Sequence, residues 1–528
     1  MANNKRRRRR KTLRVSALLG AIVLGNGPII ASYASNKYAD WKEHRLSYEQ
    51  QYGRWDVVAD SHTRSVHAAM LDTGQVLLMA GSGNDQASFN SKTFRTTLWD
   101  PVKNTFTKVT TPWDVFCAGH TFLSTGQLLI AGGTSKYEVL AQNSPDGKKH
   151  EYEGVRDSFL FDPTTSRFVR TGYLNHARWY PTLTKAANGT VIAVSGLDQN
   201  GNIDNGNTES YDAAKGVWID HPSLHHVFPS YPALMLSGSG QMFFSGANAG
   251  YGPAKVAQRQ PGLWNLQTNK FTPVTGLTQP ELNETAATIL LPPAQAQRFM
   301  FIGGGGVGDS QATTGRTAIV DLNAKNPTYV PGPTLAVARR YPGAVILPDD
   351  TVLISGGSKG YRTKDTKTAE IYNVATNSFS NAANPHVGRD YHSEYILLPD
   401  GRVAVFGSNP LTDNNTFETK VEVYSPTYLF KGPRPKITAA PKTTVRGGTM
   451  TITVAGDVSK VRLIAPGSYT HVTDTDQKSV ALPIVRHSGN QVTVSVPTNA
   501  NVAPSGQYML FVDNSAGIPS VASWVHLQ

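Results

Sequence analysis

The sequence predicts an all-β protein, in which a β-propeller of seven blades is followed by a β-sandwich. Two observations predict this architecture. Between about residues 60 and 430, one pattern of apolar runs and glycine-bearing turns recurs seven times, and from residue 434 it gives way to short alternating strands. The 48 glycines among 528 residues suit many short strands that are joined by tight turns.

Each of the seven units predicts four strands. The first half holds an apolar run, a turn with Gly or Asp, and a second apolar run, as in "CAGHTFLSTGQLLIAGGT" and "YPTLTKAANGTVIAVSGL". The second half is a strand, a turn and a strand, as in "TTLWDPVKNTFTKV" and, in the last unit, "VEVYSPTYLFKG". Repeats of about 50 residues with paired glycines resemble Kelch repeats. We therefore expect a seven-bladed Kelch-type propeller over residues 60–433.

The last segment has a different pattern. Short runs such as "KVRLIAP", "QVTVSVP" and "SVASWVHL" alternate with Pro- and Gly-bearing turns over about 95 residues. This spacing is typical of an Ig-like β-sandwich, which we expect over residues 434–528. One predicted loop of this domain carries His471.

The amino terminus predicts an export segment. Eight of the positive charges behind the net charge of +12 lie within residues 1–14, and residues 15–36 contain no charged side chain. A basic end followed by an apolar run is typical of an export signal. Two fates are open: residues 1–36 remain as a membrane anchor, or they are cleaved and the protein is secreted. We expect residues 37–59 to be a linker.

Chemistry-bearing residues recur at one position of the repeat, nine residues before the first turn. In a propeller the first strand of each blade lines the central axis, so these positions converge at one end of the channel. The lone cysteine of the chain is among them, although exported proteins usually pair their cysteines. The residues reached in this way are Cys117, Tyr180, Tyr231, Tyr341 and His392, and Tyr391 is adjacent.

Two interpretations compete at this register. For Tyr231 and Tyr341 we favour packing, with the hydroxyl group satisfied by a hydrogen bond. For Cys117, Tyr180 and the Tyr391-His392 pair, a thiol, two phenols and an imidazole at one ring predict a metal site. No carboxylate lies on the register, which disfavours an enzyme that uses a carboxylate-bound metal in this channel.

The chain resembles the radical copper oxidases, the galactose oxidase and glyoxal oxidase family. Four segments carry the resemblance: "FCAGHTFL" at Cys117, "ARWYPTL" at Tyr180, "GRDYHSEYILLPDGR" at Tyr391-His392 and "THVTDTDQ" at His471. Their order and domain placement also match. The "RWY" triplet is similar to the glyoxal oxidases and their bacterial, membrane-anchored relatives, which are linked to surface glycan deposition.

The resemblance implies one copper ion. Tyr180, His392 and His471 would be equatorial ligands and Tyr391 the axial ligand, with a fifth place open to water or substrate. Imidazole and phenolate suit the tetragonal geometry of Cu(II). The resemblance also implies a self-made thioether between Cys117 and the ring of Tyr180, which would answer why an exported protein keeps one cysteine.

The implied reaction is the oxidation of a primary alcohol or aldehyde with O2, which releases H2O2. Tyr391 would take the substrate proton as a general base, and a radical on Tyr180 would take hydrogen from carbon. An aromatic ring stacks on the modified tyrosine in this family. We expect Trp179 in that role, with Trp264 as the alternative.

Two further residues have open roles. His120 is a second-sphere hydrogen-bonding residue or a satisfied core histidine. Arg340 contacts substrate or lies at the surface.

The expected partners follow from this interpretation. They are a small aldehyde or alcohol or a glycan end, O2, a copper chaperone, the glycan machinery of the cell surface, and the membrane through the N-terminal segment. We expect no nucleic-acid binding, because the charge beyond residue 14 is nearly balanced and forms no basic stripe. The alternative function is a non-catalytic, glycan-binding propeller at the cell surface, in which Cys117 has no chemical role.

Overall fold

A computed structural model describes residues 42–251, 259–411 and 417–528. The export segment predicted at residues 1–36 lies outside the described residues. Residues 42–52 are helical, a short helix follows at Gln86–Asn90, and single 3-10 turns occur at Ala141–Asn143, Pro280–Leu282, Ala294–Ala296 and Thr427–Phe430. Within the described ranges, no helix has the length and apolar character needed to cross a bilayer.

The repeat region forms seven antiparallel sheets in the part of the chain that the structure describes, and each contains four strands of the repeat. We number them I to VII and give their strands in hydrogen-bonding order from the first strand. Sheet I contains His67–Met70, Val76–Gly81, Arg95–Asp100 and Thr105–Val109. Sheet II contains Gly119–Phe122, Leu128–Ala131, Ser158–Asp162 and Arg167–Arg170. Sheet III contains Thr182–Lys185, Val191–Val194, Thr208–Asp212 and Val217–Asp220. Sheet IV contains Leu234–Leu236, Met242–Phe244, Gly262–Asn265 and Lys270–Pro273. Sheet V contains Ala287–Leu290, Arg298–Ile302, Thr317–Asp321 and Tyr329–Pro331. Sheet VI contains Gly343–Ile346, Thr351–Ser355, Ala369–Asn373 and Ser378–Asn381. Sheet VII contains Ser393–Leu397, Val403–Gly407, Lys420–Ser425 and Arg54–Asp60. Two small hairpins pair Thr134–Lys136 with Glu153–Gly154 and Ser358–Gly360 with Thr363–Asp365.

Burial falls along each sheet from the first strand to the fourth. The first two strands of sheet II, Gly119–Phe122 and Leu128–Ala131, are buried at every residue, whereas Arg167–Arg170 is largely exposed. Continuous apolar runs therefore mark the strands that neighbouring sheets cover on both faces. The turn between these two strands has a left-handed backbone at Gly126, with φ of 89°. This conformation explains why glycine recurs in the first turn of the repeats.

The N-terminal part of the chain completes sheet VII, and this corrects two predictions. The segment predicted as a linker, residues 37–59, contains the helix and most of Arg54–Asp60, which pairs antiparallel with Lys420–Ser425. The predicted last strand in "VEVYSPTYLFKG" is instead a 3-10 turn at Thr427–Phe430. Pro426 precedes that turn, and proline lacks the N–H group that a strand needs. The fourth strand of sheet VII therefore comes from the other end of the chain.

The first strands of the sheets lie next to one another. Those of sheets II, III and IV are neighbours in turn, and so are those of sheets V, VI, VII and I. A hairpin from the C-terminal domain, Ser468–Thr470 with Thr473–Asp474, lies among them and contacts the first strands of sheets I, II, V and VII. We call it the central hairpin. It extends sheet I to six strands, because Thr470 pairs with His67.

The C-terminal domain is a sandwich of two sheets. One contains Lys436–Ala439, Thr449–Ala455, Gln491–Ser495 and Ile484–Ser488. The other contains Thr443–Thr444, Ser523–Leu527, Gly506–Asp513, Lys460–Ile464 and Ser479–Ala481. Their facing side chains share a core, in which Ile452 packs in the same cluster as Leu463 and Leu510. The cluster continues into Phe243 and Phe299 of sheets IV and V, so the sandwich is packed firmly against the repeat region.

Candidate metal centre

The register residues of neighbouring sheets share a left-handed backbone. The φ angle is 62° at Cys117, 68° at Tyr180, 43° at Tyr231, 59° at Tyr341 and 59° at His392. Successive members are joined by backbone hydrogen bonds, from the Tyr180 N–H to the Cys117 carbonyl (2.9 Å) and from the Tyr231 N–H to the Tyr180 carbonyl (3.0 Å). The repeat therefore places equivalent side chains side by side just before each first strand.

Sheet V continues this ring with a residue that the sequence did not reveal. Thr285 has φ of 58°, and its carbonyl accepts the Tyr341 N–H at 2.9 Å. The turn after its first strand contains "LPPAQAQ" in place of the usual glycine turn, so counting back from a glycine could not reach it.

His471 reaches the same place at the tip of the central hairpin. The two turn residues, His471 and Val472, have φ of 47° and 68°, as a two-residue type I′ turn requires. Such angles are costly for residues with a side chain, and most of all for a β-branched valine. Backbone pairing of the hairpin with sheet I holds this turn in place.

Three potential ligand atoms converge at this point. Cys117 Sγ and one ring nitrogen each of His392 and His471 all lie within 4.8 Å of one another, and all three residues are buried. The two Nε2 atoms are 2.9 Å apart, and His471 Nε2 is 3.7 Å from Cys117 Sγ. Two imidazoles whose Nε2 atoms face each other this closely can both direct a ring nitrogen at one metal ion.

A hydrogen-bond chain fixes the tautomer of His471. The Thr470 hydroxyl donates to the Val66 carbonyl at 2.9 Å, so its oxygen accepts the Nδ1–H of His471 at 2.7 Å. The Nε2 lone pair is then free to bind a metal. Burial, and then the neighbouring His392, keep the pKa of His471 well below 6.5. Both features favour the neutral imidazole that metals bind.

Two phenol rings flank the histidine pair. The ring centroid of Tyr180 lies 4.7 Å from that of His471, and that of Tyr391 lies 5.4 Å away. Tyr391 also packs at 3.7 Å on the ring of His392. Burial, and then proximity to Cys117, raise the pKa of the Tyr391 phenol well above 10. The set of two imidazoles and two phenols fits copper by the chemistry of its donors.

The aromatic ring that stacks on Tyr180 is that of Trp179. Its ring lies 3.8 Å from the Tyr180 ring at 25°, and its indole N–H donates to the Thr134 hydroxyl at 3.0 Å. The alternative, Trp264, donates to Asn269 in an outer turn of sheet IV and belongs to a different core cluster. The structure thus places Trp179, and not Trp264, against the register tyrosine.

The structure also shows what Tyr231 and Arg340, two further candidates from the sequence, contact. Tyr231 donates its hydroxyl to the Ala118 carbonyl at 2.7 Å and stacks 4.4 Å from His471, as expected for a packing residue. Arg340 is fully buried and pairs with Glu284 at 3.3 Å, so the expectation of a surface or substrate-contacting arginine is wrong. The Glu284 carboxylate, the Thr285 hydroxyl and the carbonyls of Gly308 and Ser310 all accept hydrogen bonds from its guanidinium.

His120 is buried beside a second histidine below the centre. Its ring lies 5.1 Å from that of His67, and neither ring nitrogen of His120 has a hydrogen-bond partner among the described residues. Burial lowers the pKa of His120 to about 3. It is therefore neither a satisfied core histidine nor a hydrogen-bond donor to the metal ligands.

Buried arginine–glutamate pairs support the register residues, and the sequence analysis did not single them out. Each arginine stands two or three residues before a register residue, and each glutamate lies on the third strand of the same sheet. The signal was present in the repeats, as the Glu in "TESYD", "AEIYN" and "VEVYS". The pairs are Arg178 with Glu209 (3.0 Å), Arg339 with Glu370 (2.8 Å) and Arg389 with Glu422 (3.8 Å).

Another missed residue, Arg362, covers Tyr391. Its guanidinium lies 4.7 Å from the Tyr391 ring centroid and donates to the Asn409 carbonyl (2.8 Å) and side-chain oxygen (2.6 Å). Asn409 in turn donates its backbone N–H to the Tyr391 carbonyl at 2.7 Å. Nothing in the repeat pattern marks Arg362, because it stands in the small hairpin of sheet VI.

An open cavity of about 610 Å³ leads to the centre. Tyr180 and Tyr391 form its floor, and its walls combine aromatic rings with charged groups. These walls include Tyr152, Trp179, Tyr251, Tyr341, Tyr361, Glu138, Lys149, Arg259 and Arg362. Small polar molecules therefore have a route from solvent to the phenol groups beside the histidine pair.

Comparison with known proteins agrees with this geometry. The chain is 28% identical over 508 residues to a galactose oxidase of Gibberella zeae, covering 90% of this chain and 70% of the relative. It is 27% identical over 456 residues to the aldehyde oxidase GLOX of Vitis pseudoreticulata, covering 78% of this chain and 82% of the relative. A solved fungal alcohol oxidase in complex with copper has the same fold, with a TM-score of 0.75 at 20% identity over 90% of this chain and all of that one.

Family comparison covers nearly all of the described chain. The early set domain of galactose oxidase-like proteins matches residues 434–527, the C-terminal sandwich. The glyoxal oxidase N-terminus matches residues 84–428, which hold most of the repeat region and include Cys117, Tyr180 and the Tyr391-His392 pair. The chain belongs to the glyoxal oxidase family and carries the early set domain of galactose oxidase-like proteins.

Proposed function

We propose that the protein is a radical copper oxidase that oxidises a primary alcohol or an aldehyde with O2 and releases H2O2. The observation that carries this proposal is the meeting of His392 Nε2 and His471 Nε2 at 2.9 Å, between the rings of Tyr180 and Tyr391. These four residues would hold one copper ion. The names of the relatives, galactose oxidase and aldehyde oxidase, support the same reaction class.

Bound copper would supply one of the two one-electron oxidations that the reaction requires, and the oxidised Tyr180 would supply the other. O2 would then take up both electrons with two protons and leave as H2O2. The buried Tyr391 phenol would lose its proton on binding copper. Its Oη would then accept the proton of the substrate hydroxyl, because Tyr391 lines the cavity with its ring held under Arg362. The oxidised Tyr180 then accepts a hydrogen atom from the substrate carbon. The stacked Trp179 covers the Tyr180 ring and keeps water from that face.

We also propose a thioether between Cys117 Sγ and the ring carbon of Tyr180 next to the hydroxyl-bearing carbon. The two residues are hydrogen-bonded neighbours on the register and belong to one buried cluster, which supports this bond. Its formation removes one hydrogen from sulfur and one from the ring, and O2 accepts both. Burial raises the pKa of the Cys117 thiol well above 9, so the free thiol stays protonated until it reacts.

We also propose an architecture, a location and a substrate class for the protein. The seven sheets, with their first strands around the central hairpin, support a seven-bladed Kelch-type propeller. The basic and apolar N-terminal sequence supports export, with the enzyme anchored at the cell surface or secreted after cleavage. In that location the substrate would be a small aldehyde or alcohol, or the end of a glycan. The enzyme would then act in glycan deposition, and a chaperone would supply its copper.

The test is the mass of the Tyr180 peptide, after protein made without copper receives copper in air. We expect it to be linked to the Cys117 peptide and two hydrogens lighter than the sum of the two. Cys117→Ala should remain folded and bind copper but lose most oxidase activity, measured as H2O2 release. Separate peptides and an alkylatable thiol would refute the radical centre and leave a binding propeller or a non-radical copper site.

A further inference from the structure

Three aromatic rings form a continuous stack from the register tyrosine to the cavity wall. The Trp179 ring lies 3.8 Å from that of Tyr180 at 25°, and the Tyr152 ring lies 4.3 Å from that of Trp179 at 4°. All three rings line the cavity, and exposure rises from 2% at Tyr180 and Trp179 to 8% at Tyr152. Tyr152 is therefore the most exposed ring of the stack.

Packing alone does not account for the last ring. Tyr152 lies in the segment between the second and third strands of sheet II, directly before the hairpin strand Glu153–Gly154. Its hydroxyl donates only a long bond of 3.3 Å to Asn84. A phenylalanine would fill the same space and would not leave a hydroxyl to satisfy at the cavity wall. A phenol at this position differs from phenylalanine chiefly in that its ring can be oxidised by one electron.

A second cavity-lining tyrosine lacks this arrangement. Tyr251 meets Trp179 at 5.6 Å and 74° and Tyr180 at 6.1 Å and 89°, so its ring stands edge-on to both. It lines the same cavity and is more exposed than Tyr152, but its ring is not coplanar with the stack. The chain thus contains a natural comparison between a stacked and an unstacked tyrosine.

We propose that the stack of Tyr180, Trp179 and Tyr152 carries single electrons between the buried Tyr180 phenol and one-electron oxidants that enter the cavity. This inference rests on the proposed function, since it requires that Tyr180 is the oxidised residue. It adds a second way to generate the oxidised tyrosine, in which an outer-sphere oxidant acts at Tyr152, the most exposed ring of the stack. The route would restore enzyme that has lost its radical between turnovers.

The electron balance of the route is simple. Tyr152 gives one electron to the oxidant, and its hydroxyl proton moves to water in the cavity. Trp179 returns an electron to Tyr152, which regains its proton, and Trp179 takes an electron from the Tyr180 phenolate. The net change is one electron lost by Tyr180, which becomes a phenoxyl radical, and one electron gained by the oxidant.

The experiment follows the oxidation of copper-loaded, cross-linked but radical-free enzyme by hexacyanoferrate(III) in a stopped-flow instrument. The readout is the rise of the phenoxyl absorption and the matching loss of the copper electron-paramagnetic-resonance signal, not turnover. Tyr152→Phe removes the oxidisable ring, Tyr152→Trp restores one, and Tyr251→Phe is the matched control. The midpoint of an equilibrium titration is recorded for each variant, because a purely structural change in the centre would move it.

We expect Tyr152→Phe to lower the second-order rate constant at least about tenfold, which is about 1.4 kcal/mol of barrier, and Tyr251→Phe to lower it less than about twofold. Tyr152→Trp should recover the rate, and the equilibrium midpoint should stay at its wild-type value. Equal rates for wild type and Tyr152→Phe, or a Tyr152→Trp variant as slow as Tyr152→Phe, would overturn the route. If wild-type enzyme forms neither thioether nor radical, the proposed function fails; if it forms both, only the route is under test.

Discussion

Removing the arginine that supports Tyr180 should destabilise the protein strongly. The Arg178 side chain is fully buried, with Nη1 2.6 Å from Asp204 Oδ2 and Nε 3.0 Å from Glu209 Oε1. It also donates to the carbonyls of Ser195 (2.8 Å) and Asn207 (3.1 Å). Arg178→Met keeps a side chain of similar reach but leaves two buried carboxylates without their cation.

The size of the effect follows from burial. Breaking a buried ion pair by removing one partner costs about 3–5 kcal/mol, because an uncompensated charge remains inside. Asp204 is 4% and Glu209 0% exposed, so solvent cannot replace the guanidinium. In the variant, Glu209 still accepts a hydrogen bond from the Asn175 N–H at 2.6 Å. This remaining bond keeps the expected loss of stability within about 3–5 kcal/mol.

The assay is chemical unfolding followed by tryptophan fluorescence. Arg402→Met is the control, since Arg402 and Asp400 are 30% and 34% exposed and such a pair contributes only about 0–1 kcal/mol. In the Arg178→Met background, the further changes Asp204→Asn and Glu209→Gln should recover part of the free energy of unfolding. A loss below about 1 kcal/mol for Arg178→Met would refute the reasoning, since breaking a buried pair should cost several times more.

Two further predictions concern groups around the centre. Thr470→Val removes the hydroxyl that orients His471, and we expect copper affinity to fall about 10–100-fold, measured by chelator competition. Thr470→Ser keeps a hydroxyl and should keep the affinity, whereas unchanged affinity in Thr470→Val would show that the hydroxyl does not orient the ring. Asp114 accepts N–H bonds from Ser82 (2.7 Å) and Phe116 (3.1 Å), and burial raises its pKa from 3.8 to about 6. Its folded pKa exceeds its unfolded pKa, so its stabilising contribution is complete below pH 3.8 and is lost as pH rises through 6. Unfolding between pH 4 and 7 should therefore show wild type losing stability relative to Asp114→Asn, and parallel curves would contradict this.

The sequence predicted the ring of register residues because the repeat is regular there. Counting back from Gly126 or Gly189 reaches Cys117 or Tyr180, and both glycines have the left-handed backbone that fixes the turn. A fixed turn sets the distance along the strand, so periodicity in sequence becomes equivalence in space. Where the turn is irregular, in sheet V, the same count failed to find Thr285.

Other features could not be predicted from a local pattern. The pairing of Arg54–Asp60 with Lys420–Ser425 joins residues that are 360 to 371 positions apart in the sequence. Arg362 covers Tyr391 only because the small hairpin of sheet VI folds back towards Asn409. Each depends on where a chain segment lies after folding, which the alternation of apolar and polar residues does not encode.

The position of His471 shows why the C-terminal domain is needed for the centre. His471 and Val472 both hold a left-handed backbone, which costs of order 1–3 kcal/mol each at non-glycine residues. The loop behind them offsets this cost, since Asp476 accepts hydrogen bonds from Thr121 (2.8 Å) and the Phe122 N–H (3.1 Å) of sheet II. Strain at the tip of the hairpin and anchoring at its base act together, because a relaxed turn would move the His471 ring away from His392. The segments that precede the first strands of sheets II, III and VII carry Cys117, Tyr180 and the Tyr391-His392 pair. The strained hairpin of the other domain carries His471.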